Sequence, residues 1–276
     1  MQKDITIILT LFKTPKKKIL GLKQYKNFKI IIFVQSADKH FKKYIKKYCD
    51  IKFKFFYSNK NLGLSKATNF LISKVKTKYF LFTQADIKID EDSIKNLIKG
   101  MDIEEDIIFA GPIFNQFKSS SEKKNLKQNY ELKSELDASI MLCDLEKVNK
   151  IGFFDEDFFL YWEDKDLMKR VNKSKFKMIQ VLNSYVEHDA GKSTLDNTRV
   201  RFIRRINFKY GELLFDLKHK KIRLIKILRQ IFQNIFLIPL NLIVLNKAKI
   251  IENISQLFGI FKFIKFIFFK KKSKNV

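Results

Sequence analysis

Residues 151–170 read IGFFDEDFFLYWEDKDLMKR and carry six carboxylates, Asp155, Glu156, Asp157, Glu163, Asp164 and Asp166, threaded through aromatic side chains. A solvated acidic face is not built this way. Trp162, the only tryptophan, directly precedes Glu163-Asp164, and a helical pattern follows over 166–170. The carboxylates therefore fall at the start of a helix beside apolar walls, which disfavour the charged form and lift a carboxylate towards useful basicity. The alternative is an acidic cap that only begins the helix. A second acid, Asp86, ends the run YFLFTQAD and would project from the carboxyl edge of a strand. There it can hold Mg2+ or Mn2+, which favour hard oxygen ligands, against a diphosphate, although a turn Asp after a strand is also ordinary. His188, in VEHDAGKS over 186–193, is placed in a polar loop after the apolar run Phe176–Leu182. It is either structural or completes a metal site with Asp86.

The elements that must position these groups are legible as short apolar runs rich in Ile, Phe and Val: Ile5–Leu9, Phe28–Val34, Phe53–Tyr57, Tyr79–Phe82 and Ile107–Ala110. Each is short enough for a buried strand. Segments of helical length alternate with them, Lys16–Gln24, Lys39–Tyr48, Leu64–Lys74 and Asp92–Lys99, so the expectation is an α/β fold with a parallel sheet. Such sheets bind ligands at the carboxyl ends of their strands, here the loops after Leu9, Val34, Tyr57 and Phe82. No GxGxxG or GxxxxGK[ST] follows any of these strands. Residues 118–133 are polar and Ser-rich and are expected to form an exposed loop before an element at Leu136–Leu142.

A chain of 276 residues that is 46% hydrophobic is not disordered and permits a substantial core. Cys49 and Cys143 stand far apart without a CxxC pair, so neither a zinc site nor a disulfide framework is indicated, and a reducing cytosol fits. Ile5–Phe12 is too short an apolar stretch for a signal peptide, and Asp4 precedes it; it reads as a strand. The formal charge of +27 is unevenly spread: residues 199–276 hold 19 Lys plus Arg and 3 Asp plus Glu, a net +16, leaving +11 for the first 198.

In order along the chain stand N-L-G-x-S-K-A-x-N at Asn61–Asn69, a strand ending in Asp86, G-x-F-D-E-x-F-F-x-Y-x-E-D-x-D-L-x-x-R at Gly152–Arg170, and H-x-x-G-x-S at His188–Ser193. Over roughly residues 4–195 this resembles family 2 glycosyltransferases of the GT-A fold, nearest the bacterial rhamnosyltransferase-like branch. The resemblance implies a Rossmann-like, mostly parallel central sheet flanked by helices. Residues 1–198 would form the catalytic domain, with a nucleotide-sugar half over about 1–115 and an acceptor half over about 134–198. It also implies an inverting reaction, in which an acceptor hydroxyl displaces the nucleoside diphosphate of a nucleotide-diphosphate sugar, with Mn2+ or Mg2+ as cofactor.

Carried over by the resemblance, Asp164 is the catalytic base and Glu163 its alternate. Thr10, Ser36, Asp38, Asn61, Gly63, Asn69, Gln84 and Asp86 fall at nucleotide-sugar positions. Asp86 and His188 are the implied metal ligands, and Asp155, Glu156, Trp162 and Asp166 lie on the acceptor side. The sequence departs from the family pattern at Gln84, which replaces the first acid of the metal motif. The second strand keeps Ser36 and Asp38 but lacks an earlier acid, and Thr10-Leu11-Phe12 stands where T-Y-N is usual.

The region 199–276 is read as basic, helical and membrane-associated. Its span Arg229–Lys247 is interrupted by Gln230, Gln233, Asn234, Pro239, Asn241 and Asn246, short of the roughly 20 clean residues of a spanning helix. Further on, Glu252, Ser255, Gly259, Lys262 and Lys265 mark a narrow polar stripe on an apolar helix that ends in Lys270-Lys271-Lys272. That pattern predicts a helix lying in a membrane interface, its lysines on anionic lipid; the alternative is packing against the catalytic domain. Bulky aliphatic residues between the charges argue against nucleic acid. The expectation is a cytoplasmic enzyme, peripheral on the inner face of the cell membrane, that extends a glycan or lipid-linked glycan acceptor of a bacterial surface polysaccharide. The rival is a non-catalytic membrane-surface or nucleic-acid-binding protein on a degenerate transferase fold. Nucleotidyl transfer is disfavoured by the lack of a Gly-rich, Lys/Arg-bearing phosphate loop.

Overall fold

A computed structural model describes residues 4–49, 53–114, 129–189, 192–219 and 224–273. The chain forms two compact units, one of residues 1–156 with 164–195, the other of residues 157–163 with 196–276.

In the first unit, β1 (Ile5–Phe12) pairs in parallel with β2 (Lys29–Gln35) and β4 (Tyr79–Phe82), and β2 with β3 (Lys54–Ser58). Alternation along β1 sends Ile5, Ile7, Leu9 and Leu11 into one core and Ile8 into another, so the sheet is buried on both faces. Its other strands are β5 (Ile87–Ile89), β6 (Ile107–Phe114), β7 (Tyr130–Lys133), β8 (Met141–Asp144) and β9 (Lys177–His188). Among the described residues nine strands make one sheet, in the order β3-β2-β1-β4-β8-β6-β9-β5, with β7 also on β9. β5, β7 and β8 run against the other six, so the sheet is mostly parallel, with helices on its faces. The carboxyl ends of β1, β2, β4, β6 and β9 consequently share one edge.

The connecting helices are α1 (Lys16–Gly21), α2 (Lys39–Tyr48), α3 (Leu64–Ile72), α4 (Glu91–Met101), α5 (Leu145–Ile151) and α6 (Glu163–Val171). Asp38, Asp90 and Asp144 cap α2, α4 and α5, each accepting from a backbone N–H one turn on, at 2.7, 2.6 and 3.0 Å. The expected helix Lys16–Gln24 is α1 followed by a 3₁₀ turn, Leu22–Tyr25.

Three expectations are corrected. Residues 130–133 are not loop but the edge strand β7, while 118–128 lie outside the described residues. The element at Leu136–Leu142 is the strand β8, which begins only at Met141. The apolar run Phe176–Leu182 is half of a twelve-residue strand, and His188 is that strand's last residue rather than a loop residue. Polar residues interrupt the run because a register shift between Pro112 and Ile113 opens the β6 pairing there, and α4 satisfies them. Ser184 Oγ donates to the Ser93 carbonyl (3.0 Å), and Asn96 donates to the Asn183 carbonyl (2.7 Å).

The second unit holds α7 (Thr198–His219), α8 (Leu224–Ile243) and α9 (Lys247–Ser273). Their core is Tyr210, Leu213, Leu214, Phe215, Ile227, Ile260 and Phe263 together with Phe158 of the 157–163 segment. The polar stripe of α9 faces outward only at its ends, Glu252 and Lys265. Ser255 is fully buried, a Cβ on Gly259 would lie 2.7 Å from Lys209 Cβ, and Lys262 donates to Asn207 Oδ1 at 2.6 Å. Lys262 Nζ also stands 4.4 Å from the centre of the Tyr210 ring, and its burial lowers its pKa. The close helix-helix contact needs small or polar residues at those positions, and that need sets the stripe. Among the described residues no helix is long and apolar enough to cross a membrane. The side chains of Lys270, Lys271 and Lys272 lie outside the described ones.

Candidate active site

The turn after β4 and the end of β9 meet because β5 pairs antiparallel with β9, in a register that sets Ile87 opposite His188. Asp86 is thereby locked: its carbonyl accepts from Asp189 N (3.1 Å) and its Oδ2 from Lys192 N (3.1 Å). His188 Nε2 lies 3.7 Å from the same Oδ2, too far for a hydrogen bond but close enough for strong charge coupling. The Asp86 carboxylate raises the His188 pKa against the opposing effect of burial, with smaller contributions from Asp137 and Asp189.

Asp86 Oδ1 and His188 Nε2 are both buried, and among the described residues neither has a hydrogen-bond partner. Buried polar atoms are normally satisfied, so two orphans side by side mark a place for a missing partner. A carboxylate oxygen and an imidazole nitrogen are competent donors to a divalent cation. Among the described residues no group of three His, Cys, Asp or Glu gathers to enclose one, so the remaining ligands would come from a diphosphate and water. Gln84, in the same turn, is half-buried.

The neighbouring loops are shaped by backbone needs. Gly63 has φ 86° where α3 begins, a region that residues with a Cβ rarely occupy. Asn61 Oδ1 accepts from Gly63 N (3.0 Å), and Gln35 Oε1 accepts from Leu62 N (2.7 Å). Gln35 is thus a positioning residue that the sequence reading missed; its signal is a buried amide at a strand's carboxyl end. Ser36 follows with φ 51°, and Thr10 sits half-buried in β1. Asp38 is engaged as the cap of α2.

The acidic block divides by use. Asn69 donates to the Phe154 carbonyl (2.8 Å) and accepts from Phe154 N (3.2 Å), fixing the segment before it, and also reaches Glu156 (3.2 Å). Asp166 is buried and pairs with Arg170 Nε at 2.8 Å. The rest of that guanidinium donates to the carbonyls of Ile151, Gly152 and Phe153, which ties the start of the block to α6. Asp157 accepts from Lys218 (2.8 Å) and its carbonyl from Tyr210 (3.1 Å), within the helical unit. Asp155 and Glu163 also have partners. Asp164 differs: it is half-buried on the first turn of α6, with no hydrogen bond or ion pair among the described residues. A carboxylate so left is available to accept a proton.

Just before it, Tyr161 and Trp162 have φ of 69° and 71°. Bulky residues in this region cost on the order of 1–3 kcal/mol each, and such strain clusters at functional sites. Gly211 of α7 makes room for them, since a Cβ there would lie 2.8 Å from the Tyr161 carbonyl oxygen and 2.9 Å from Trp162 Cδ1. Phe208 and Phe215 pack on the Trp162 ring at 5.6 and 5.4 Å between ring centres.

Arg170→Ala is expected to lower the unfolding free energy by about 3 kcal/mol, because it strands the buried Asp166 carboxylate and three carbonyls. Arg170→Lys should recover only part of this, since an ammonium cannot fork. Denaturant midpoints read both, and an unchanged midpoint for the alanine variant would refute the tie.

Residues 17–168, more than half of the chain, match the family model described as Glycosyl transferase family 2. The chain belongs to glycosyl transferase family 2. The match takes in Asp86 and Asp164, while His188 lies beyond it. Among solved structures, the chain is similar to a mannosyltransferase from Pyrobaculum calidifontis in complex with GDP-Man and Mn2+, with a TM-score of 0.56 and 10% identity. The likeness covers 80% of this chain and 66% of that one, and it shows a shared GT-A fold. A comparison with curated proteins finds no match.

Proposed function

We propose that the protein is an inverting glycosyltransferase, close to the rhamnosyltransferase-like branch, that uses a nucleotide-diphosphate sugar to extend a lipid-linked bacterial surface glycan. Hexosyl or deoxyhexosyl transfer would take place at the inner face of the cell membrane. What supports the reading is that a carboxylate, Asp164, and two buried atoms, Asp86 Oδ1 and His188 Nε2, all lack hydrogen-bond partners among the described residues of a family 2 chain.

Asp164 takes the proton of the acceptor hydroxyl as its oxygen attacks the anomeric carbon; the C–O bond to the diphosphate breaks, and the nucleoside diphosphate leaves with the electron pair. Asp86 and His188 would hold Mn2+ or Mg2+, which supplies charge stabilisation for the departing diphosphate. Gln35 and Gly63 shape the loop at Asn61 that lies on the donor side, and Asn69 and Arg170 set the acidic block on the acceptor side. Asp155, Glu156 and Trp162 would face the acceptor, whereas Asp166 serves by orienting Arg170.

A second reading, a degenerate transferase fold with a binding role only, draws on Gln84 standing where the metal motif has an acid. Calorimetric titration with UDP, dTDP, GDP and CDP, each with and without Mn2+, separates the two. Metal-dependent binding of one nucleotide supports the transferase, and failure of all four would overturn it.

A further inference from the structure

α8 packs through one face only. Ile227 and Asn234 are buried, and Asn234 accepts from Asn253 of α9 at 3.1 Å. The opposite face, at spacings of three and four, carries Leu228, Phe232, Ile235 and Phe236, all exposed. It begins at Ile225, 81% exposed, and runs to the helix's last residue, Ile243, 78% exposed, and on to Leu245 in the tip beyond it, 81% exposed. A soluble monomer rarely leaves so long an apolar face in water. The helix cannot cross a bilayer, because Asn234, Asn241 and Pro239 interrupt it and its polar side is committed to α9.

We propose that the exposed face of α8, with the 243–245 tip, inserts into the headgroup and acyl boundary of an anionic membrane and is a membrane contact of the helical unit. This deepens the proposed function by naming how the enzyme reaches a lipid-linked acceptor, and it rests on that reading for its purpose. The occupant follows from charge. Arg229 of α8 and Lys247, Lys249 and Lys265 of α9 are exposed, and residues 199–276 have a net charge of +16. Anionic lipid complements that charge, each cation near such a surface contributing about 1 kcal/mol. A second copy would bring two such charges together and repel. The sequence pattern pointed instead to the apolar body of α9; there Gly259 and Lys262 meet α7, while Phe258, Phe261, Phe268 and Phe269 are exposed and would add to the contact.

The test is flotation of the full chain with phosphatidylcholine vesicles, with and without about one third phosphatidylglycerol. Phe232→Glu combined with Phe236→Glu should cut the bound fraction about tenfold or more, and binding should require the anionic lipid. Leu228→Gln with Ile235→Gln, milder changes on the same face, guard against misfolding of the first pair, and nucleotide titration of each variant reports the fold of the first unit. Undiminished flotation of both variant pairs would overturn the proposal. So would equal binding to neutral vesicles, or a vesicle-indifferent dimer that either pair dissociates. Loss of flotation with nucleotide binding intact supports it, and nucleotide binding that fails in the wild type strikes only the transferase reading.

Discussion

Asp164→Asn is expected to lower turnover by about two to four orders of magnitude while leaving nucleotide affinity within about twofold. The reasoning is local. Of the acids in the 151–170 block, Asp166 is committed to Arg170, Asp157 to Lys218, and Glu156 to Asn69. Asp164 is committed to nothing among the described residues and stands on the first turn of α6, held in place by Leu167, Met168 and Val171 in the core. An amide of the same shape keeps that placement and removes only the capacity to take a proton. Steady-state kinetics with the donor identified by titration, set beside calorimetry on the same variant, separates the two effects. Near-normal turnover would remove Asp164 from the base role and pass it to Glu163.

The second large effect is expected at Asp86. Asp86→Asn retains an oxygen able to accept from Lys192 N but loses the charge, so Mn2+-dependent nucleotide affinity should fall by about a hundredfold with little change in stability. Asp86→Ala also removes the acceptor for Lys192 N and should cost stability in addition, about 1–3 kcal/mol, by leaving a donor unmet. Titration with and without Mn2+ reads the first effect and thermal unfolding the second. An unchanged metal dependence in both variants would place the cation elsewhere.

The parallel half of the sheet was legible because β1, β2 and β4 are buried on both faces and read as unbroken apolar runs. Legibility failed where a neighbour satisfied polar groups inside a strand. Ser184 and Asn183 look like the end of β9, yet α4 accepts and donates to them and the strand runs on to His188. The closeness of Asp86 and His188, 102 positions apart in sequence, depends on the β5–β9 register, which no local pattern encodes. The family motif names Asn69 and Asp166 without saying that each is spent on holding backbone or on a guanidinium. Likewise the stripe on α9 is a true periodicity, but a period says which residues share a side of the helix, not whether that side meets water or α7.

The seam at Glu156 and Glu163 bears on how chains of this kind can be recombined. Residues 157–163 take their packing from 196–276, through Phe158, Asp157, Trp162 and the room left by Gly211, although Asp164 follows them without a break. The helical region is therefore not a detachable passenger. A chimaera that exchanged only the end of the chain would join a foreign α7 to a native Tyr161-Trp162 pair and lose the void that pair requires. A working graft must carry three junctions, on either side of 157–163 and near 196, so substitutions on the two sides of that gap are expected to be inherited together.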